Sequence, residues 1–305
     1  MGRILVYGCI LFDTIDGEYY IGGCNTNVAG HAANLGMDTW MVSCVGNDLL
    51  GEKAVAWMEK NQIHTQYIGK NATVPTGTVE VDVTDPQAPE YVLADPAAYD
   101  YIQLDELQRQ ELSEQSFDFM YFSTTEQRHE EGISASTLYW LLDNLTVKHR
   151  FFDINLRKGC FTDAMLRKAL EKTDILKVNE DELAYLAEHD LKIQETEEQT
   201  LELLLAKYGF EAIIVTRGAH GASVYTADRK RFDAAAVKVD VKDAVGAGDA
   251  FSAAFIAVYT RGGTVQEAIE AGNQLGSYVA GHRSAVPSMD AGIRKILQKY
   301  LKDER

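Results

Sequence analysis

The chain has 305 residues, of which 46% are hydrophobic, and a formal net charge of −17 at pH 7, so it has enough apolar residues for a large core. The acidic residues are spread along the whole chain, which argues against nucleic acid or an anionic membrane as a partner, because both require a basic face. The four cysteines lack CxxC spacing and no apolar run could span a bilayer, so we expect a cytoplasmic protein with reduced thiols.

The first hundred residues predict alternating strands and helices that are interrupted by a β-rich stretch. Strands are predicted at 4–7 and 39–45, and helices at 28–35 and 51–61. Residues 76–84 alternate apolar with polar side chains, which is typical of a half-exposed strand, and a short strand is predicted at 91–93. We expect residues 14–21 and 74–101 to form a small β-sheet that acts as a lid on the main body.

After residue 102 the β/α alternation resumes. Strands are predicted at 119–123, 150–154, 175–178, 212–216 and 239–241, with a hairpin at 223–226 and 231–233. Helices are predicted at 134–144, 163–172, 180–188, 197–208, 249–259, 264–282 and 291–302. Strands separated by helices indicate a mostly parallel sheet covered on both faces, so residues 1–305 are predicted to be a single α/β domain.

Polar residues follow several of these strands directly. In an open α/β sheet, ligands bind beyond the carboxyl ends of the strands, so these side chains are predicted to face one crevice. They are Asp13, Asn155, Arg157, Asn179, Arg217 and Asp249.

The segment Gly246-Ala247-Gly248-Asp249 lies between the predicted strand at 239–241 and a predicted helix. Backbone N–H groups at such a turn, together with the positive end of the helix, form an anion site. A carboxylate beside a bound anion is unfavourable unless it accepts a proton, so Asp249 is a candidate general base. The alternative is a helix-capping Asp, which is a favoured residue at that position.

Four motifs in order make the chain resemble the ribokinase-like (PfkB) carbohydrate kinases, from Arg3 to about Pro287. They are Gly22-Gly23 with Asn27 and Gly36, Asn179 with Glu182, Thr216 with Gly218 and Gly221, and Asp243 with Gly246-Ala247-Gly248-Asp249. Residues 75–79, 98–102, 127–128 and 152–157 are similar to those of bacterial fructokinases.

This resemblance implies a three-layer ribokinase-like sandwich with a β-sheet lid, and an enzyme that transfers the γ-phosphate of ATP to a primary sugar hydroxyl. D-fructose, giving fructose 6-phosphate, is the first expected substrate. A 2-keto-3-deoxygluconate or modified-fructose kinase of the same family is an alternative. A catalytically silent sugar- or nucleotide-binding regulator is an alternative of another class.

The resemblance also implies roles at the sugar. Asp249 is the implied base, and the backbone N–H groups from Gly246 to Asp249, including those of Ala247 and Gly248, are the implied cradle for the transferring group. Asp13, Gly23 and Asn27 are implied to bind sugar hydroxyls, Gln127 and Arg128 to complete the sugar site, and Arg157 to reach phosphate or sugar. The alternatives are a turn cap for Asp13, loop lining for Gln127 and Arg128, and a surface ion pair for Arg157.

For the nucleotide, the resemblance implies ATP phosphates at Thr216, Gly218 and Gly221, with Asn273 and Ser277 near the adenine. Mg²⁺ is implied to bind Asn179 and Glu182 through water, although Asn followed by acidic residues is also an ideal helix start. Helix packing is the alternative for Asn273 and Ser277.

A K⁺ site is implied near Asp243, Val245 and Ser288, although Ala244 and Ser284 depart from the family's pattern there.

The predicted lid has two expected roles. It excludes water, because hydrolysis competes with transfer. Its exposed strands, with Tyr91 and alternating valines, need covering at their edges, so we also expect a homodimer formed through the lid.

Overall fold

A computed structural model of the protein describes residues 2–15, 17–82 and 90–301. Its strands are β1 (Arg3–Tyr7), β2 (Leu11–Ile15), β3 (Glu18–Gly22), β4 (Asp38–Gly46), β5 (His64–Asn71), β6 (Gly77–Asp82), β7 (Glu90–Leu93), β8 (Ser116–Phe122), β9 (Thr146–Asp153), β10 (Ile175–Asn179), β11 (Ala212–Thr216), β12 (Ala222–Thr226) and β13 (Arg231–Ala234). Its α-helices are α1 (Cys24–Asn34), α2 (Leu49–Lys60), α3 (Glu106–Ser113), α4 (Ile133–Asn144), α5 (Asp163–Leu170), α6 (Glu180–Tyr185), α7 (Glu197–Tyr208), α8 (Ala247–Thr260), α9 (Val265–Ala280) and α10 (Ala291–Leu297).

Within the described residues, nine strands form the main sheet, in the order β13-β12-β11-β10-β9-β8-β1-β4-β5. The pairs from β11 to β5 are parallel, and the hairpin of β12 and β13 adds two antiparallel strands at one edge. Buried apolar residues of α1, α2, α8, α9 and α10 form one hydrophobic layer. Those of α3 to α7 form a second layer. The predicted α/β sandwich is thereby confirmed.

A second sheet stands apart from the main one, in the order β3-β2-β6-β7. Its register places Tyr20, Asp13, Val79 and Leu93 side by side across the four strands. Because side chains alternate between the faces of a strand, the neighbouring row of Tyr19, Thr14, Glu80 and Val92 lies on the other face. The predicted small sheet is therefore present, although it begins at Leu11 rather than at residue 14.

The predicted strand at 239–241 is wrong. Residues 235–244 pair with no described strand and are hydrogen-bonded to α9 instead. The backbone N–H of Lys242 donates to the carbonyl of Ala280 at 2.9 Å. Val241 is 62% exposed, so the β-branched run lacks the burial that makes such a run a strand.

Other boundaries differ from the sequence prediction. Strand β5 and helix α3 were not predicted, because each buries few of its residues and shows little apolar periodicity. The helix predicted over 180–188 ends at Tyr185 and continues as a π-helical turn, Leu186–Leu191. The predictions for 83–89 and for 302 lie outside the described residues.

No helix in the described part of the chain combines the length and the apolar character that crossing a membrane requires.

Candidate functional site

A cleft of about 1080 Å³ opens between the carboxyl ends of the central strands, the start of α8 and the small sheet. Asp13, Asn155, Arg157, Asn179 and Asp249 all line it, so the sequence prediction of one shared crevice holds for five of its six members. Arg217, the sixth, is not among the lining residues. Its guanidinium instead donates to Glu197 at 2.6 Å and to the Ser223 hydroxyl at 2.8 Å, because these partners on α7 and β12 hold it away from the cleft.

Helix α8 begins at the floor of this cleft. Gly246, its N-cap, has φ 79°, and a Cβ there would lie 2.7 Å from the Cβ of Ala285, so only glycine fits. Its neighbours Gly248 and Asp249 line the cleft in the first turn of the helix. The positive end of the α8 dipole therefore faces the cleft beside the Asp249 carboxylate.

Asp249 is held by a residue from the opposite end of the chain. Asn27 Nδ2 donates to Asp249 Oδ2 at 2.8 Å. Burial, together with the Asp153 carboxylate, raises the pKa of Asp249 to about 6. The hydrogen bond from Asn27 and the charges of Lys177 and Arg157 oppose that rise. A carboxyl group with this pKa is ionised at neutral pH and is able to accept a proton.

The side-chain oxygen of Asn27, Oδ1, is available to bind a ligand. It is buried and has no hydrogen-bond partner among the described residues. Asn27 also lines the cleft. Because an unpaired buried acceptor costs free energy, this oxygen is suited to accept from a ligand hydroxyl next to Asp249.

Asp13 lies across the cleft from α8, on strand β2 of the small sheet. Burial, and then the nearby Asp243 carboxylate, raise the pKa of Asp13, while Arg157 lowers it. Arg157 thus lies near both Asp13 and Asp249. Gly23 lines the same end, and with φ 93° its Cβ would lie 3.2 Å from Cys9 Sγ.

Gln127 and Arg128 are not brought to the cleft. The Gln127 amide is fully buried, donates to the carbonyl of Ser123 and accepts from the Tyr139 hydroxyl at 2.9 Å. Arg128 binds Asp100 with two nitrogens, at 2.6 and 2.8 Å, and its side chain is 4% exposed. Both polar groups are consumed inside the fold, which corrects the prediction that they complete the sugar site.

Asn179 and Glu182 form a capping box at the start of α6. Asn179 Oδ1 accepts from the Glu182 N–H at 2.9 Å, and Glu182 Oε2 accepts from the Asn179 N–H at 2.8 Å. The Leu156 N–H donates to the other carboxylate oxygen. Both residues also line the cleft. Their oxygens are the type of donor that Mg²⁺ prefers, so the residues fit an ion held through water.

The residues predicted for the nucleotide fall into two groups. Thr216 ends β11 and lines the cleft, and Gly218 and Gly221 shape the turn that follows, with φ 51° and 90°. Asn273 and Ser277 lie outside the cleft lining. Asn273 donates to the carbonyl of Ala234 at 2.7 Å, and the Ser277 hydroxyl accepts from the Val237 N–H at 3.1 Å. These hydrogen bonds hold residues 234–237 against α9. The helix-packing alternative therefore describes the observed contacts of Asn273 and Ser277.

Of the three residues predicted to bind K⁺, two line the cleft and one does not. Asp243 and Val245 line it, and the Val245 N–H donates to Asp243 Oδ1 at 2.9 Å. Ser288 is outside the lining, and its carbonyl accepts from the Tyr278 hydroxyl at 2.9 Å.

The sequence matches the model of one protein family, described as pfkB family carbohydrate kinase, over residues 6–291. The chain belongs to the pfkB family of carbohydrate kinases. It is a sugar kinase, a phosphotransferase that acts on a sugar hydroxyl.

Relatives of this kinase match most of its length. It is 23% identical over 279 residues to 5-dehydro-2-deoxygluconokinase 1 of Bacillus cereus, covering 88% of this chain and 82% of that protein. The crystal structure of Vibrio cholerae O395 fructokinase with fructose, ADP and calcium superposes with a TM-score of 0.80, at 22% identity and 99% coverage of both chains. Xylella fastidiosa fructokinase with bound ATP gives 0.83, at 19% identity, covering 97% of this chain and 98% of that one. At these identities the structures establish the fold alone.

Sequence reasoning missed two charged residues that line the cleft of this kinase. Lys177 Nζ binds Asp153 Oδ2 at 2.6 Å, and both side chains are buried. The Tyr121 hydroxyl also donates to that oxygen, at 3.1 Å. The Ser252 hydroxyl lies 3.2 Å from it and 3.0 Å from the carbonyl of Gly248. A signal was present for Lys177, because its charge interrupts an otherwise apolar run, and buried charges are rarely unpaired. Asp153 ends a strand that also carries Lys148, His149 and Arg150, so no comparable signal marked it.

Proposed function

We propose that this kinase transfers the γ-phosphoryl group of ATP to a primary hydroxyl of a neutral sugar, with D-fructose giving fructose 6-phosphate. One observation carries the proposal: Asn27 donates to Asp249 and keeps a buried, unpartnered Oδ1 in the same cleft. A sugar that places one hydroxyl on that oxygen brings a neighbouring hydroxyl to the Asp249 carboxylate.

In the proposed reaction, Asp249 accepts the proton of the sugar hydroxyl as its oxygen attacks the γ-phosphorus. The bond from that phosphorus to the bridging oxygen breaks, and ADP leaves with the bonding electron pair. The N-terminal turn of α8, from Gly246 to Asp249, with Ala247 and Gly248 between them, stabilises the charge on the transferring group. Asn179 and Glu182 would hold Mg²⁺ through water, and the ion would neutralise phosphate charge.

The end of the cleft that Asp13, Gly23 and Asn27 line is called the sugar end here. Its charges favour a neutral substrate over a sugar acid such as 2-keto-3-deoxygluconate. Arg128 is bound to Asp100 and is unavailable to a substrate carboxylate. Arg157 lies near the carboxylates of Asp13 and Asp249, which balance its charge. A carboxylate placed beside Asp13 would add like charge to that end.

The test is a coupled assay of ADP release over a panel of sugars, with ATP and Mg²⁺. We expect the highest kcat/KM for fructose, a lower value for 2-keto-3-deoxygluconate, and loss of turnover in Asp249→Asn. A higher kcat/KM for the acid would overturn the neutral-substrate proposal. Binding of ATP and sugar without turnover of any ketose or sugar acid would favour a silent regulator and overturn the catalytic proposal.

We also propose a homodimer formed through the small sheet. Tyr19 and Val92, in the row that faces away from Asp13, are 51% and 53% exposed. Large apolar side chains on an open sheet face are suited to covering by a second copy. The side chain of Tyr91, which was also expected at this surface, lies outside the described part of the chain.

A further inference from the structure

Two cysteines meet at the sugar end of the cleft. Cys9 Sγ and Cys24 Sγ both donate to the same atom, Asn25 Oδ1, at 3.1 and 3.2 Å. The Asn25 amide is itself fixed, because its Nδ2 donates to the carbonyl of Tyr7 at 2.7 Å. Cys9 and Cys24 therefore form a preorganised dithiol.

The dithiol can be reached from solvent through the cleft. Both cysteines belong to the cleft lining, and Cys24 is only partly buried. The other two cysteines, Cys44 and Cys160, are buried and lie outside that lining. All four are free thiols, so Cys44 and Cys160 serve as internal controls for the reactivity of Cys9 and Cys24.

We propose that Cys9 and Cys24 are a thiol modification site, which a small disulfide oxidant converts to an intramolecular disulfide that closes the sugar end of the cleft. The formation of this bond does not depend on the proposed substrate. Its effect on turnover rests on the proposed function.

The order of the two exchange steps follows from the surroundings of the thiols. The neighbouring Cys24 thiol, and then burial, raise the pKa of Cys9 well above its ordinary value. The thiolate is the nucleophile, so the more accessible Cys24 attacks first. It forms a mixed disulfide and releases one small thiol. Cys9 then attacks the Cys24 sulfur and releases the second small thiol. Two electrons and two protons pass from the protein thiols to the oxidant.

The bond would move the residues that are proposed to hold the sugar. A disulfide fixes its sulfurs at about 2.05 Å, whereas each thiol is now held by Asn25. Bringing the sulfurs together draws the start of α1 toward Cys9. Gly23 precedes that helix and Asn27 lies in its first turn. Because a misplacement of about 1 Å in a site can cost roughly 100-fold, we expect kcat/KM to fall by at least about tenfold.

The experiment incubates the full chain with oxidised glutathione, then measures free thiols after denaturation, intact mass and cross-linked peptides. We expect the four thiols to fall to two, a mass lower by two hydrogens, and a peptide that joins Cys9 to Cys24. Dithiothreitol should restore both thiols and kcat/KM. Cys44→Ser and Cys160→Ser should still lose two thiols on oxidation.

Cys24→Ser and Cys24→Ala should retain their thiols or carry a glutathione adduct, and neither should lose two hydrogens. Each variant is compared with itself before and after oxidation, so a change in its basal rate does not affect the comparison. A different mapped pair, or four intact thiols under excess oxidant, would overturn the proposed site. A complete Cys9–Cys24 disulfide with unchanged turnover would overturn only its proposed effect, and absence of kinase activity before oxidation would count against the proposed function instead.

Discussion

Lys177 and Asp153 are register partners on adjacent parallel strands, and their side chains form a buried ion pair of 2.6 Å. Burial lowers the pKa of Lys177, but the Asp153 carboxylate and hydrogen bond, helped by Asp249 and Glu182, outweigh it and raise that pKa. The ammonium group also lies 3.4 Å from the position that a Cβ on Gly248 would take. The pair therefore supplies charge directly beneath the first turn of α8.

Lys177→Met should move the acidic limb of the pH profile of kcat/KM to higher pH. The Lys177 charge lowers the pKa of Asp249, so its removal leaves the carboxyl group easier to protonate. Asp153→Asn should move the same limb to lower pH, because the Asp153 carboxylate raises that pKa. We expect shifts of roughly half to one pH unit, measured as kcat/KM from pH 5 to 9.

Lys177→Arg, which keeps the charge, is the control for that pair and should leave the limb near its wild-type position. Lys177→Met should also lower the free energy of unfolding by about 3–5 kcal/mol, because it leaves the buried Asp153 carboxylate without its partner. Shifts of the two pH profiles in the same direction would contradict the electrostatic coupling.

Asp249→Asn should make the protein more stable at pH 8 while abolishing turnover. The pKa of Asp249, about 6, lies above its unfolded value, so the fold disfavours the ionised form. That cost is fully present above pH 6 and disappears as the pH falls toward 4. We expect a gain of about 3 kcal/mol in urea unfolding at pH 8, vanishing near pH 4. An equal gain at both pH values would contradict the assignment.

Asn27→Ala should lower kcat/KM for the sugar by roughly 5- to 150-fold, the range expected for a lost buried hydrogen bond of about 1–3 kcal/mol. It removes both the proposed sugar acceptor and the donor to Asp249, so the acidic limb should also move to higher pH. Asn34→Ala, near the end of the same helix and outside the cleft lining, is the matched control. Equal effects of the two substitutions on steady-state kinetics would contradict the assignment of Asn27 to the sugar site.

Arg128→Ala should destabilise the fold without a specific change in sugar KM. It would leave Asp100 buried beside no guanidinium, at a cost of about 3–5 kcal/mol in thermal or urea unfolding. Arg128→Lys keeps the charge but not the two-nitrogen contact, so it should recover only part of that stability. A large rise in KM in a stably folded Arg128→Lys protein would restore the sugar-site role implied by the family resemblance.

Tyr19→Asp combined with Val92→Asp should convert the proposed dimer to a monomer. Both side chains are exposed in one row of the small sheet, and charges there would have to be desolvated against a second copy. Light scattering at micromolar concentration measures the mass. Leu107→Asp, at an exposed leucine of α3, is the control and should leave the mass unchanged. A wild-type monomer under these conditions would end the proposal.

Local sequence patterns predicted the elements that carry most of the site. Gly246 precedes a long apolar helix and Gly248 lies in its first turn, and Asn179 with Glu182 matches a capping box, so both helix starts were predicted to within about two residues. Parallel strands have a common carboxyl edge, which is why six polar residues were expected in one crevice, and five of them line it.

The errors arise where tertiary partners decide. Val239 and Val241 look like a strand, but the chain there hydrogen-bonds to α9, and both valines are exposed. Gln127 and Arg128 follow a strand as ligand-binding residues do, yet Tyr139 and Asp100 engage them inside the fold. No local pattern reveals such partners, because they are supplied by distant segments.

The link between Asn27 and Asp249 joins residues that are 222 positions apart. During synthesis, the N-terminal strands and α1 leave the ribosome long before α8 exists. The nascent chain therefore has no complete sugar pocket until α8 has emerged and docked on α1. A ribosome that stalls before residue 249 would release a product unable to turn over sugar, whatever part of its sheet had already formed.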